Sequence, residues 1–257
     1  MLDKLLDVLF PRRCVGCGHR PWPFCTGCAA RVALLTTPGC RRCGRPLEDW
    51  IGLCGDCPPA VIDWCRSAFL YEGPVRSALM RLKFSGLSQV AEAFAPSMVE
   101  ALARAPPAGR ATGQDESFLL TWVPLAARRR RERGYDQAEV LALAVRAMTG
   151  WPARALLRRA VETAPQARRA GLERRRALRG AFVAVGPVEA ARVVLVDDVL
   201  TSGATAAECA TVLRGAGAAE VIVLTAARSL GGAIPARCYN PTWFPPGSVV
   251  ARGRSSR

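Results

Sequence analysis

The chain has 257 residues, half of them apolar, and its 36 basic against 21 acidic side chains give a net charge of +15. That length suits one medium domain plus a smaller module, and the apolar fraction is ordinary for a folded globular protein. No apolar run approaches the ~20 residues needed to cross a bilayer, so membrane insertion is not expected, and the basic excess calls for a polyanionic partner.

Taken in order, Met1–Phe10 carries Leu2, Leu5, Leu6 and Leu9 at helical spacing. Asp3, Lys4 and Asp7 interrupt any signal-peptide core, so the expectation is a short helix packed on the next module and a cytoplasmic location. Residues 11–58 hold eight of the 11 cysteines, in four Cys-x-x-Cys pairs: Cys14/Cys17, Cys25/Cys28, Cys40/Cys43 and Cys54/Cys57. Without an export signal this pattern reads as zinc, not disulfide. Gly18, Gly44, Gly55 and Pro58 follow the pairs, as tight knuckle turns require. Four thiolates fill one zinc, so eight ligands predict two structural Zn²⁺. Sequential pairing is the simplest arrangement, although spacing leaves a cross-braced one open. His19, the single histidine, reads as a surface residue. So few large apolar groups would not fold alone, and structural zinc contributes on the order of 10 kcal/mol to such modules.

After the cysteines, the pattern predicts a strand at Ala68–Tyr71, a turn at Gly73-Pro74 and a helix over Val75–Lys83. Leu79, Leu82 and Phe84 are expected to face the core. A second helix spans Ser88–Ala103, and Pro106-Pro107 with 109–116 reads as an exposed loop. From 117 to 226 strands alternate with helices. Phe118–Val123, Ala181–Val185, Val193–Val196 and Val221–Thr225 are the strands; Gln137–Met148 and Ala206–Leu213 are the helices. This alternation implies an α/β domain with a parallel sheet. The tail from Ser229 lacks periodicity, and its end from Gly247 is expected to be disordered. The expected division is thus 1–60, 61–230 and 231–257.

Residues 192–205 carry the chemistry. The β-branched run Val193–Val196 is followed by Asp197 and Asp198, then by the small-residue loop Thr201, Ser202, Gly203, Ala204 and Thr205. Ligands of open α/β sheets bind at the carboxyl ends of strands, and a helix start with free backbone N–H groups favours a phosphate. The carboxylates suit sugar hydroxyls or a hydrated Mg²⁺. A second anion is served by the basic stretch Arg128–Arg179, with 15 arginines against five acidic residues. Arg128, Arg129, Arg130, Arg131 and Arg133 lie just beyond a predicted strand, and Lys83 is one of only two lysines.

The 192–205 pattern resembles the phosphoribosyl pyrophosphate (PRPP) signature of type I phosphoribosyltransferases. That resemblance implies a loop on the 5′-phosphate and an acidic pair near the ribose hydroxyls, with Mg²⁺ accompanying PRPP. From Met1 to about Leu230 the chain resembles the ComF family, which joins a zinc ribbon to a phosphoribosyltransferase-like domain and includes members tied to DNA uptake in natural transformation. The resemblance is carried by Leu9-Phe10-Pro11-Arg12-Arg13-Cys14-Val15-Gly16-Cys17, by Tyr71-Glu72-Gly73 with Leu82-Lys83-Phe84, and by Val123-Pro124-Leu125 with Arg133-Gly134-Tyr135-Asp136-Gln137. Thr163-Ala164-Pro165-Gln166, Leu172 and Arg179-Gly180-Ala181-Phe182 are also similar to the family. The chain departs from it in having Asp136 and Ala177 where the family usually has Asn, and in having two ribbons where several members have one.

Three functional expectations follow. The first is a PRPP- or ribose-phosphate-binding protein acting in single-stranded DNA uptake, with the DNA-uptake machinery as a partner. The second is an active phosphoribosyltransferase using a nitrogenous acceptor, although no general base is assignable. The third is a zinc-ribbon scaffold that docks a protein or binds nucleic acid, with Tyr135 or Trp151 stacking on bases.

Overall fold

A computed structural model describes residues 12–36, 40, 42–46, 54, 57, 61–103, 118–160, 178–189 and 191–230. The readings at Met1–Phe10, the 109–116 loop, Ala177 and the tail beyond 230 lie outside them. Among the described residues, the cysteine module has one short helix, α1 (Thr26–Ala29). The second region runs β1 (Trp64–Leu70), α2 (Gly73–Phe84), α3 (Gln89–Ala103), β2 (Leu119–Trp122), α4 (Ala127–Arg133), α5 (Gln137–Thr149), β3 (Leu157–Arg159), β4 (Phe182–Ala184), β5 (Arg192–Leu200), α6 (Ala204–Gly215) and β6 (Glu220–Arg228). The fold is α/β, as expected. Its main sheet has the order β1-β6-β5-β2 with every pair parallel.

Apolar side chains alternate between the two faces of this sheet. Val194, Val196, Ile222 and Leu224 join a core with α3 and α5 residues such as Phe94 and Leu141. Val193, Leu195, Val221 and Val223 join the opposite core with Ala206, Ala210 and Leu213 of α6. A strand covered on both faces has no polar face to show, which is why these runs read as continuously apolar. The cysteine module packs on the first core: Val15, Phe24, Val32 and Leu34 belong to it. The Phe94 ring lies between Phe69 at 4.8 Å and Phe24 at 6.1 Å. Main-chain bonds from Leu35 N to Ala68 O (2.9 Å) and from Leu70 N to Ala33 O (2.9 Å) add the module to the edge of β1.

Several sequence expectations are corrected. The first strand begins at Trp64, not Ala68, because pairing with β6 starts at Trp64↔Ile222 and carries Arg66 within it. Gly73-Pro74 opens α2 instead of forming a separate turn; proline is favoured in a first turn, where its missing N–H costs nothing. Phe84 does not face the core. It is 66% exposed at the last residue of α2. Phe182–Ala184 is not in the main sheet; it pairs antiparallel with β3, a three-residue strand that sequence reading missed.

Candidate functional site

The strand β5 carries the acidic pair and is paired unevenly. Its partner β2 stops at Trp122, opposite Val196, whereas β6 accompanies it to Leu200. Asp197 and Asp198 therefore sit inside β5 on the β6 side and beyond the sheet on the β2 side. They project at the carboxyl end of the sheet, where open α/β folds bind ligands. The Asp197 carboxylate accepts from Asp198 N (2.8 Å), and the Asp198 carboxylate accepts from Val199 N (2.8 Å). Burial and the neighbouring Asp198 charge push the Asp197 carboxyl well above the ordinary range.

Lys83, on the last turn of α2, forms an ion pair with Asp198. Burial works against its charge, but the Asp198 carboxylate outweighs burial and raises the Lys83 pKa. Lys83 thus reaches the acidic pair instead of extending to solvent.

The loop after β5 turns through Gly203, whose φ of +72° and ψ of 4° set the left-handed start of α6. A side chain is disfavoured in that conformation, which gives the glycine its purpose. No side chain caps this helix, although Ser202 Oγ lies 3.4 Å from Ala204 N. Thr201 and Ser202 are exposed and Thr205 is half-buried. The helix begins at Ala204, so Ala204 and Thr205 belong to its first turn, where N–H groups lack intrahelical acceptors.

Lys83 also lines a cavity of about 560 Å³ with Met80, Phe84, Arg129, Glu132, Arg133 and Tyr135, so three cations share it with one carboxylate. Arg133 stands over the Phe84 ring at 4.8 Å and donates to Gln137 Oε1 at 2.9 Å. Of the five arginines singled out from sequence, only Arg129 and Arg133 line this cavity. Arg128 pairs with Glu132 (2.8 Å), Arg130 pairs with Glu139 (3.0 Å), and Arg131 is exposed. Sequence reading missed Met80 and the exposed Phe84. Tyr135 lines the cavity with its hydroxyl buried, whereas Trp151 is packed against Phe118 at 4.6 Å.

Asp136 has a structural task. One carboxylate oxygen accepts from Ala138 N (3.0 Å) and caps α5, while the other accepts from Leu125 N (2.7 Å). An asparagine amide has one acceptor oxygen and could take only one of these bonds. Burial nevertheless raises the Asp136 pKa.

The eight cysteines form two clusters in sequential pairing: Cys14, Cys17, Cys25 and Cys28, then Cys40, Cys43, Cys54 and Cys57, with the sulfurs of each set within 4.8 Å of one another. The sulfurs of Cys17 and Cys25 are 3.6 Å apart, of Cys40 and Cys57 3.0 Å, and of Cys43 and Cys54 3.3 Å. These separations far exceed a disulfide bond of ~2.05 Å. A tetrahedron with Zn–S bonds of ~2.3 Å has edges of about 3.8 Å, so the donors fit the ion. Burial would raise Cys14, but backbone groups of Cys25, Cys17 and Gly16 hold it at about 7. Burial would also raise Cys40, but neighbouring groups, the backbone of Cys43 first, hold it at about 6. His19 is exposed, its Nδ1 3.4 Å from Cys17 Sγ, beside a centre already complete with four thiols.

A family model described as a double zinc ribbon domain matches residues 5–58. With the two sulfur clusters, it makes this module a pair of four-cysteine zinc-binding sites. The chain is 32% identical over 213 residues to the DNA utilization protein YhgH of Salmonella typhimurium, covering 81% of this chain and 92% of that protein. It is 27% identical over 216 residues to the competence protein ComFC of Bacillus subtilis, covering 80% and 84%. A solved structure described as that of the allosteric regulatory enzyme of purine biosynthesis aligns with 53% of this chain and 26% of its own, at 28% identity. Its TM-score of 0.34 is too low to define a shared fold. Among the described residues, no helix is long and apolar enough to cross a membrane.

Proposed function

The chain belongs to the family of the DNA utilization protein YhgH and the competence protein ComFC, and from that membership we propose a PRPP- or ribose-phosphate-binding protein that acts in the handling of single-stranded DNA. The observation that carries the binding claim is the acidic pair at the half-open end of β5, followed by an uncapped helix start at Gly203. In this reading Thr201, Ser202, Gly203, Ala204 and Thr205 hold the 5′-phosphate through backbone N–H groups and hydroxyls. Asp197 and Asp198 accept from the ribose hydroxyls or from water around Mg²⁺. Lys83, Arg129 and Arg133 face the pyrophosphate across the cavity, where oppositely charged side chains lower the cost of the anion. Mg²⁺, when bound with PRPP, supplies charge neutralisation at the pyrophosphate.

Calorimetry tests this with PRPP and Mg²⁺. The wild-type chain is expected to bind, Asp197→Asn with Asp198→Asn to weaken binding at least tenfold, and Lys83→Met to weaken it by a similar factor. Absence of wild-type binding, or indifference to the double carboxylate change, would sink the claim.

A second reading, direct contact with single-stranded DNA, is favoured by the exposed Phe84 beneath Arg133. An aromatic face beside cations suits a stacked base and its phosphate. Affinity for an oligonucleotide should then fall steeply with salt, with a shallower log–log slope once Arg129 and Arg133 are neutralised. A flat slope in the wild type removes this reading and leaves the first intact.

A further inference from the structure

The second zinc centre has a neighbour that the cysteine spacing does not provide. Arg228 is the last residue of β6 and is only 6% exposed. Its guanidinium turns toward the second ribbon, where Nη1 donates to the Cys43 carbonyl and Nη2 approaches Cys43 Sγ at 3.6 Å. Nε is buried with no hydrogen-bond partner. The backbone of Arg228 is fixed as well. Its carbonyl accepts from Tyr71 N at 2.8 Å, and the following Ser229 N donates to Leu200 O at 2.9 Å.

Burying a guanidinium is unfavourable unless a negative charge offsets it. A divalent cation held by four thiolates retains two net negative charges, because each ligand must be deprotonated. The arginine and the loaded centre therefore offset each other's burial. Arg66 approaches the same knuckle: its Cδ would lie 3.7 Å from a Cβ at Gly44. Cys65 N donates to Arg42 O at 2.5 Å, joining the knuckle to β1. At the first centre the nearby cationic groups are more open to solvent: exposed Arg13 donates to the Gly18 carbonyl at 3.5 Å, the half-buried Arg81 guanidinium would lie 3.3 Å from a Cβ at Gly18, and exposed His19 lies 3.4 Å from Cys17 Sγ.

We propose that Arg228 is part of the second zinc centre. It is a positioning residue outside the ligand shell that neutralises the thiolates, orients Cys43 and fastens the ribbon to the end of the sheet. Groups of this kind commonly change metal affinity by about tenfold to a hundredfold when removed.

The test uses the full-length, zinc-loaded chain. Iodoacetamide labelling in the presence of a zinc chelator, mapped by peptide mass spectrometry, reports each centre separately. In Arg228→Met, Cys40, Cys43, Cys54 and Cys57 are expected to label about tenfold to a hundredfold faster than in the wild type, with Cys14, Cys17, Cys25 and Cys28 unchanged. Arg228→Lys retains the charge but loses the fork, so its acceleration should be smaller yet confined to the same four cysteines. With cobalt in place of zinc, the sulfur-to-metal charge-transfer band of one centre in two should shift in both variants. Equal labelling of the two centres, whether slow or fast together in the folded variants, overturns the proposal. If Arg228→Met fails to fold, Arg228→Lys decides it by the same criterion.

Discussion

In the sheet domain Val193–Val196 and Val221–Leu224 are completely buried, and the buried Ser67, Thr225 and Asp136 find partners within the protein. Ser67 Oγ lies 2.6 Å from Thr225 Oγ1, and Asp136 takes two backbone N–H groups. In the cysteine module, Cys14, Cys28, Cys40 and Cys43 are buried, among the described residues, beside only a few large apolar side chains, such as Val15 and Phe24. The sheet closes on itself by apolar burial, which is non-directional and grows with area. The module depends on an ion whose binding is itself folding free energy. Each region is therefore vulnerable to a different agent, although Phe94 gives them a common core.

Zinc removal should give the largest effect. Chelation withdraws on the order of 10 kcal/mol from the module. Hydrogen exchange is expected to show amides of residues 14–46 losing protection while those of β5 and β6 keep theirs. Simultaneous loss in both regions would show that the contrast does not hold.

Phe94→Ala comes next. Removing a buried phenylalanine costs about 3–5 kcal/mol, which lowers the Tm of a chain this size by about 10 °C. Metal analysis should still return two zinc per chain; loss of one with the ring would make the shared core, not the ion, the module's mainstay.

A smaller effect is expected from Ser67→Ala, which leaves the buried Thr225 hydroxyl with Ala227 O alone, at 3.1 Å. Chemical denaturation should register about 1 kcal/mol.

The smallest concerns Asp136 and pH. Burial raises its folded pKa above the ordinary 3.8, so the native chain takes up this proton before the unfolded chain does. Stability from this group is fully present below the unfolded pKa and is lost as pH rises through the folded value. The Tm of the wild type minus that of Asp136→Asn should therefore be larger at pH 4 than at pH 6. A constant difference would show that the buried carboxylate titrates as though exposed.

Much of the site was legible in the sequence because its signals are local. The β-branched run, the acidic pair and the glycine lie within a dozen residues, each cysteine set lies within 18, and the helix after the loop begins only two residues before its predicted start. Phe84 was legible too, but was misread. Val75, Ala78, Leu79 and Leu82 define the buried stripe of α2, and at 100° per residue Met80 and Phe84 fall on the opposite side. The start of β1 was hidden by Arg66, a charge inside a strand, until pairing with β6 accounts for it. The bond between Arg228 and Cys43 spans 185 residues, and no short-range pattern records it.

The uneven pairing of β5 has one more consequence. Among the described residues, the strand from Asp197 onward is paired on one side only, and such an edge invites another chain to add a strand. Consecutive amides of a strand point to opposite sides, so of Asp198 N and Val199 N one faces the side that β2 has left. Both are already taken, by the carboxylates of Asp197 and Asp198. The acidic pair thus occupies, from within its own strand, the amide that an added strand would need at the open end of the sheet.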